Sequence, residues 1–135
     1  MKIKVINYGY EKLPFRAHYN DAGADVFAMD HVVIYPHTTE KLPLGFGIEL
    51  PDGYMACVFP RSGLSSRGIV CELPPIDSGY RGQIHAIVSN LSDEPYQIKP
   101  GDKIGQLVVM PVVVVDFVEE MGEERGSGAF GSTGK

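Results

Sequence analysis

The sequence predicts an all-β domain, a closed barrel or jelly-roll-like sandwich of about ten short strands, on three observations. Prolines fall at positions 14, 36, 43, 51, 60, 74, 75, 95, 100 and 111, and each forbids a helix interior around it. Apolar residues recur at period two or in short β-branched runs. Turn signals punctuate the chain roughly every eight to twelve residues.

Taken in order, Lys2 to Asn7 alternates, with Ile3, Val5 and Asn7 on one face, and Val32 to Tyr35 is a β-branched run after an Asp30-His31 turn. Both read as strands. Lys41 to Leu50 carries Leu42, Leu44, Phe46, Ile48 and Leu50 at period two, across Gly45 and Gly47, and predicts one strand ending at the Pro51-Asp52-Gly53 turn. Tyr54 to Pro60 predicts a strand that delivers Arg61-Ser62-Gly63 at its end, with room for one helical turn over Leu64 to Gly68. The stretch Pro74 to Gln83 predicts a tight reversal, with Asp77 between Ile76 and Ser78-Gly79 and Tyr80 three residues on. Gln83 to Asn90 and Tyr96 to Ile98 read as strands separated by a Ser92-Asp93-Glu94-Pro95 turn. After Pro100-Gly101-Asp102, Ile104 to Val115 predicts a long strand buried on both faces.

Residues 1–116 form the predicted core and 117–135 a flexible tail. Asp116 to Arg125 is acidic and Gly126 to Lys135 is Gly/Ser-rich around a lone Phe130, so this end cannot bury enough apolar surface to fold alone. Either it frays, or it orders over a ligand or a neighbouring subunit.

Composition narrows the function. A net charge of -5 with scattered basic residues gives no field to gather nucleic acid or an anionic membrane, so any phosphate site is local. The longest apolar run, Val112 to Val115, is far short of a membrane span. Cys57 and Cys71 lack metal or redox spacing and follow no secretory signal, which fits reduced thiols in a cytoplasmic protein, a disulfide remaining open.

Three stretches carry candidate chemistry. Asp77 and Tyr80 put a carboxylate able to hold a water beside a flat ring, although turn aspartates are commonly satisfied by their own turn. Pro60 to Gly68 combines Arg61 and Arg67 with three serines and Gly63, an inventory suited to phosphate, because guanidinium forks and exposed N–H groups meet oxyanions and glycine lets the main chain approach. Arg125 to Gly134 repeats that inventory around Phe130. Asp25, in Asp21 to Phe27, is a candidate outer ligand for magnesium on a triphosphate, or a carboxylate bonded to backbone. No HExxH, no Gly-x-Ser-x-Gly elbow and no helix after the terminal Gly131-Ser132-Thr133-Gly134-Lys135 support a zinc, serine-nucleophile or Walker A reading.

Five motifs in order, DAGADVFA at Asp21, PRSGLSSRG at Pro60, IDSGYRGQ at Ile76, GDKIGQLVV at Gly101 and RGSGAFGSTG at Arg125, make the sequence resemble the trimeric-type dUTPases over nearly its whole length. The resemblance implies a distorted jelly-roll, or β-clip barrel, assembled as a homotrimer with active sites between subunits and hydrolysing dUTP to dUMP and pyrophosphate. It matches Asp77 to the catalytic aspartate that activates water toward the α-phosphate, and Tyr80 to the ring under the deoxyribose. Pro75 and Ile76 fall in the base-reading hairpin. Arg61, Ser62, Gly63, Gln106 and Arg125 match phosphate contacts, Phe130 a ring stacked on uracil, and Gly131, Ser132 and Thr133 a closing segment. Such stacking is worth about 1–3 kcal/mol by analogy with single-strand binders. Asp25 would hold Mg2+ through water.

Two departures stand out. The Leu64 to Asp77 stretch is shorter than the family's hairpin and carries Pro74-Pro75, which lack N–H groups, with Cys71 near the position where an Asn often reads the base. Base selectivity is then built differently or is weaker. Ala129 stands where glycine is usual, a strain of about 1 kcal/mol if positive φ is needed. A related deaminase would need a glutamate where Ile87 stands, and a sugar-binding sandwich would want Trp, of which there is none. The remaining alternative is a regulatory binding protein on the same trimer, whose tail nucleotide switches between free and docked.

Overall fold

The computed structural model describes residues 1–9 and 12–122. Along them run β1 (Lys4–Asn7), β2 (Ala24–Phe27), β3 (Val32–Ile34), β4 (Thr39–Pro43), β5 (Phe46–Glu49) and β6 (Tyr54–Phe59), then the single turn α1 (Ser62–Ser65), then β7 (Ile69–Glu72), β8 (His85–Asn90), β9 (Tyr96–Ile98) and β10 (Lys103–Pro111). The chain is all-β, as its prolines and alternation predict. The strands form four small antiparallel sheets, ordered β1-β5, β2-β10-β6, β3-β9 and β4-β8-β7. Among the described residues, Phe46, Ile34, Leu44, Leu50, Ile84, Ile98, Val26 and Val88 are the largest fully buried apolar side chains.

Asn90 is wholly buried among these apolar residues, and every polar atom of its side chain is bonded. Its amide donates to the carbonyls of Ile34 (2.9 Å) and Glu94 (2.7 Å), and its Oδ1 accepts from the Ser92 N–H and hydroxyl. One amide thereby ties the end of β8 to β3 and to the following turn.

The predicted single strand from Lys41 to Leu50 is two. At Gly45, with φ of 79°, the chain leaves the β4-β8 pairing and joins β1. Leu42, Leu44, Phe46, Ile48 and Leu50 are nevertheless all at most 4% exposed, so alternation reported burial faithfully while hiding the bend that moves the chain between sheets. The predicted strand from Ile104 to Val115 stops at Pro111, which has no N–H for the next rung. Beyond the bond from the Val112 N–H to the Gly53 carbonyl (2.9 Å), Val113 and Val114 are more than four-fifths exposed rather than buried. Sequence reasoning had not marked β2 and β7, four residues each and without alternation.

Candidate active site

Asp77 owes its position to the residue before it. Ile76 bridges to Ala56 of β6, its N–H donating to the Ala56 carbonyl (2.7 Å) and its carbonyl accepting the Ala56 N–H (3.2 Å). The carboxylate therefore leaves the sheet at a fixed point. The turn behind it is closed by the Tyr80 N–H on the Asp77 carbonyl (3.1 Å), the Tyr80 hydroxyl on the Gln83 carbonyl (2.6 Å) and the Arg81 guanidinium on the Ser78 carbonyl. The Tyr8 hydroxyl on the Arg81 carbonyl (2.7 Å) anchors it from outside.

Two glycines let this turn close. A Cβ on Gly47 would lie 2.6 Å from the Gly82 carbonyl oxygen, and one on Gly82 would lie 2.6 Å from the Tyr80 hydroxyl, closer than side chains tolerate. β5 and the Tyr80 ring can approach the turn only because both positions are bare.

Pro75, Ile76, Asp77 and Tyr80 line one cavity of about 220 Å³. Asp77 is exposed there, and its carboxylate accepts no hydrogen bond from a described residue. It is thus no aspartate satisfied by its own turn, and it is available to hold a water. Tyr80 is 45% exposed beside it.

Lys41, Glu72, Gln83 and His85 line the same cavity and were missed from sequence. The register explains their presence. Lys41 and Glu72 both pair with Ile87, and Pro43 pairs with His85, so one face of the β4-β8-β7 sheet forms the cavity floor. The Lys41 parity was legible, but which strands lay beside it was not. His85 Nδ1 lies 3.1 Å from the Gln83 carbonyl oxygen, and burial, with help from Lys41, pulls the imidazole pKa below its ordinary value against that bond. Cys71 faces the other way. Its thiol donates to the Ile104 carbonyl (3.7 Å), and burial, aided by Glu72, pushes its pKa up to about 11. It is not among the residues that line the cavity. Both cysteines are free thiols.

A second cluster forms at the far end of β6. Gln106 of β10 pairs with Phe59 on one side and Asp25 of β2 on the other, and its amide donates to the Pro60 carbonyl (3.1 Å), just before Arg61, Ser62 and Gly63. Gly23 packs so closely on Gln106 that a Cβ would meet Oε1 at 2.7 Å, which holds the side chain in place. Arg61 reaches the Lys103 carbonyl (3.4 Å), and Lys103 pairs with Asp25 (3.4 Å). Asp25 also bridges to Phe15 through its main chain, while its carboxylate pairs with the Lys103 ammonium rather than bonding to backbone. Among the described residues no three His, Cys, Asp or Glu side chains converge on a metal position. A lone carboxylate suits an ion that keeps waters and takes its other oxygens from a phosphate chain, which is how magnesium is commonly held.

None of Asp25, Arg61, Ser62, Gly63 and Gln106 lines the Asp77 cavity. Among the described residues of one copy, the Asp77 cavity and the Arg61–Gln106 cluster are therefore distinct groups. Arg125, Ala129, Phe130, Gly131, Ser132 and Thr133 lie outside the described residues.

An open carboxylate in a partly apolar cavity and an arginine loop on an all-β framework fit the class of hydrolases that act on phosphorylated small molecules, and the comparisons narrow that class. A family model described as dUTPase matches residues 10–134. The deoxyuridine 5'-triphosphate nucleotidohydrolase of Clostridium kluyveri is 44% identical over 128 residues, covering 90% of each chain, and that of Gloeobacter violaceus is 46% identical over 130 residues, covering 90% of this chain and 88% of its own. A mutant dUTPase from phage phi11 of S. aureus, described with a structural Mg(II) ion, superposes with a TM-score of 0.81 at 27% identity, over 91% of this chain and all of its own. A mutant dUTPase of Staphylococcus bacteriophage 80alpha, solved with dUpNHpp, does so at 0.80 and 25% identity, over 90% and 99%. The chain belongs to the dUTPase family.

Proposed function

We infer that this chain hydrolyses dUTP to dUMP and pyrophosphate, a reaction of nucleotide metabolism. Beyond family membership, the observation that supports it most is the Asp77 carboxylate, bonded to no described residue, in a cavity shared with Tyr80. In this mechanism Asp77 takes a proton from a water whose oxygen attacks the α-phosphorus, and pyrophosphate leaves as the bond to the bridging oxygen breaks. The Tyr80 ring, held by Gln83 and by the bare Cα of Gly82, lies under the sugar, where a 2′-hydroxyl would clash.

Arg61, Ser62, Gly63 and Gln106 contact the phosphate chain, with Arg125 on its terminal group. A magnesium ion bound to that chain would shield its charge and orient it for in-line attack. Asp25, now paired with Lys103, would hold that ion through water. Because these two groups are distinct in one copy, the working site joins the Asp77 cavity of one subunit to the Arg61–Gln106 cluster of another. A homotrimer with a jelly-roll core over residues 1–116 meets that need, and the tail 117–135 closes the site with Phe130 on the uracil and Gly131, Ser132 and Thr133 over the phosphates. A purely regulatory binding role is not favoured. Among the described residues no helix is long and apolar enough to cross a membrane, which agrees with action on a dissolved nucleotide.

The test is pyrophosphate release, with magnesium, from dUTP, dCTP, dTTP and UTP side by side. Turnover of dUTP with rejection of UTP is the expected result, and no turnover of any would overturn the assignment.

A further inference from the structure

One wall of the Asp77 cavity is poor in donors. Pro74 and Pro75 carry no N–H, and the Ile76 N–H is committed to the Ala56 carbonyl at 2.7 Å. The sheet floor of the cavity is rich in polar side chains. There the sheet register sets Lys41 beside Ile87 and His85 beside Pro43. Lys41 forms no ion pair with a described residue, although Glu72 lines the same cavity.

His85 is polarised by its neighbour. A carbonyl oxygen only accepts, so Nδ1, 3.1 Å from Gln83 O, carries the proton, and Nε2 of the neutral ring is left with a lone pair. The titratable groups that share the cavity with it are Lys41 of β4, Glu72 of β7, and Asp77 and Tyr80 of the turn. Burial and the Lys41 charge both favour the neutral ring.

The substrate has one flat, largely apolar part, its base, and the cavity walls of Val58, Ile76, Ile84 and Ile87 suit it. Uracil then presents a carbonyl, an N–H and a second carbonyl along one edge. We propose that this edge is read from the sheet side, Lys41 donating to the uracil O4 and His85 Nε2 accepting the N3–H, in place of N–H groups that the Pro74-Pro75 wall lacks. Cytosine is rejected twice, since its amino group meets the ammonium and its bare N3 meets the imidazole lone pair. The assignment rests on the dUTPase reading of the same site.

The experiment measures kcat and KM for dUTP and dCTP on the full chain with magnesium, for wild type, Lys41→Met, Lys41→Arg and His85→Leu, with inhibition by inorganic triphosphate alongside. Loss of a hydrogen bond to a charged group corresponds to about a 10- to 100-fold loss in kcat/KM. Lys41→Met should lose that much on dUTP, through KM, with dCTP little changed and triphosphate inhibition retained, and Lys41→Arg should restore most of it. His85→Leu should also narrow the dUTP/dCTP ratio. Equal losses on both nucleotides, or weakened triphosphate inhibition in Lys41→Met, would place Lys41 on the phosphates and overturn the proposal, as would a wild-type ratio in His85→Leu. Wild-type turnover of dUTP with unchanged ratios in the variants sinks base reading by these side chains alone, whereas absence of dUTP turnover in wild type sinks the dUTPase reading itself.

Discussion

At the scale of single residues, what matters at Asp77 is that no described residue bonds its carboxylate. Turn aspartates usually bond to their own turn, and this one leaves that work to the Tyr80 N–H on the Asp77 main-chain carbonyl, so the side chain remains open to the cavity. Asp77→Asn should therefore fold and bind dUTP while kcat falls about 100- to 10,000-fold, because an amide bonds water but cannot take its proton. Steady-state kinetics set beside equilibrium binding of dUpNHpp would check both halves, and unchanged kcat would remove Asp77 from the chemistry. His85 carries a second expectation. Its folded pKa lies below the ordinary 6.5, so the unfolded chain takes up the proton more readily. The stability this neutral ring supports is present above 6.5 and declines as pH falls through the folded pKa. Thermal unfolding between pH 7 and pH 5 should show a shallower decline in His85→Leu than in wild type. Asp77 and Tyr80 could be picked out from the motif around them. Lys41 and His85 could not, since a lysine or histidine on the polar side of a strand looks the same whether it faces solvent or a cavity.

At the scale of elements, the turn that carries Asp77 depends on a close approach between β5 and Gly82. Gly47→Ala puts a Cβ within 2.6 Å of the Gly82 carbonyl and 3.0 Å from that of Arg81, two backbone atoms that cannot swing aside. The substitution should destabilise the fold by about 1–3 kcal/mol and displace the turn, lowering kcat/KM for dUTP beyond what the lost stability explains. Denaturant unfolding and kinetics on the folded fraction separate the two effects. Gly47 also shows why the Lys41 to Leu50 stretch misled. Its alternation, kept through Gly45 and Gly47, records which side chains are buried, and that record survives a bend because both β4 and β5 turn the same parity toward one core. Neither glycine declares from sequence whether it serves a bend or a close contact. Here Gly45 serves the first and Gly47 the second.

At the scale of the whole molecule, two distinct groups of site residues and an exposed apolar segment after β10 fit a chain that works as more than one copy. On the proposal that the tail meets substrate rather than core, deleting residues after Glu124 should leave the oligomer and its thermal midpoint unchanged while slowing dUTP hydrolysis severely. Sedimentation and kinetics on the truncated chain would check this, and loss of the oligomer would make the tail structural. The sequence by itself determined the all-β class, most strand positions and the five motifs, and it singled out Asp77 as the candidate carboxylate. These are local properties, set by proline, by alternation and by residues a few positions apart. Only the tertiary structure decided that Lys41, Glu72 and His85 floor the Asp77 cavity, that Cys71 turns away from it, and that Asp25, Gln106 and Arg61 gather elsewhere. Each of these follows from strand pairing between segments tens of residues apart, and pairing partners leave no mark in the spacing of a single strand.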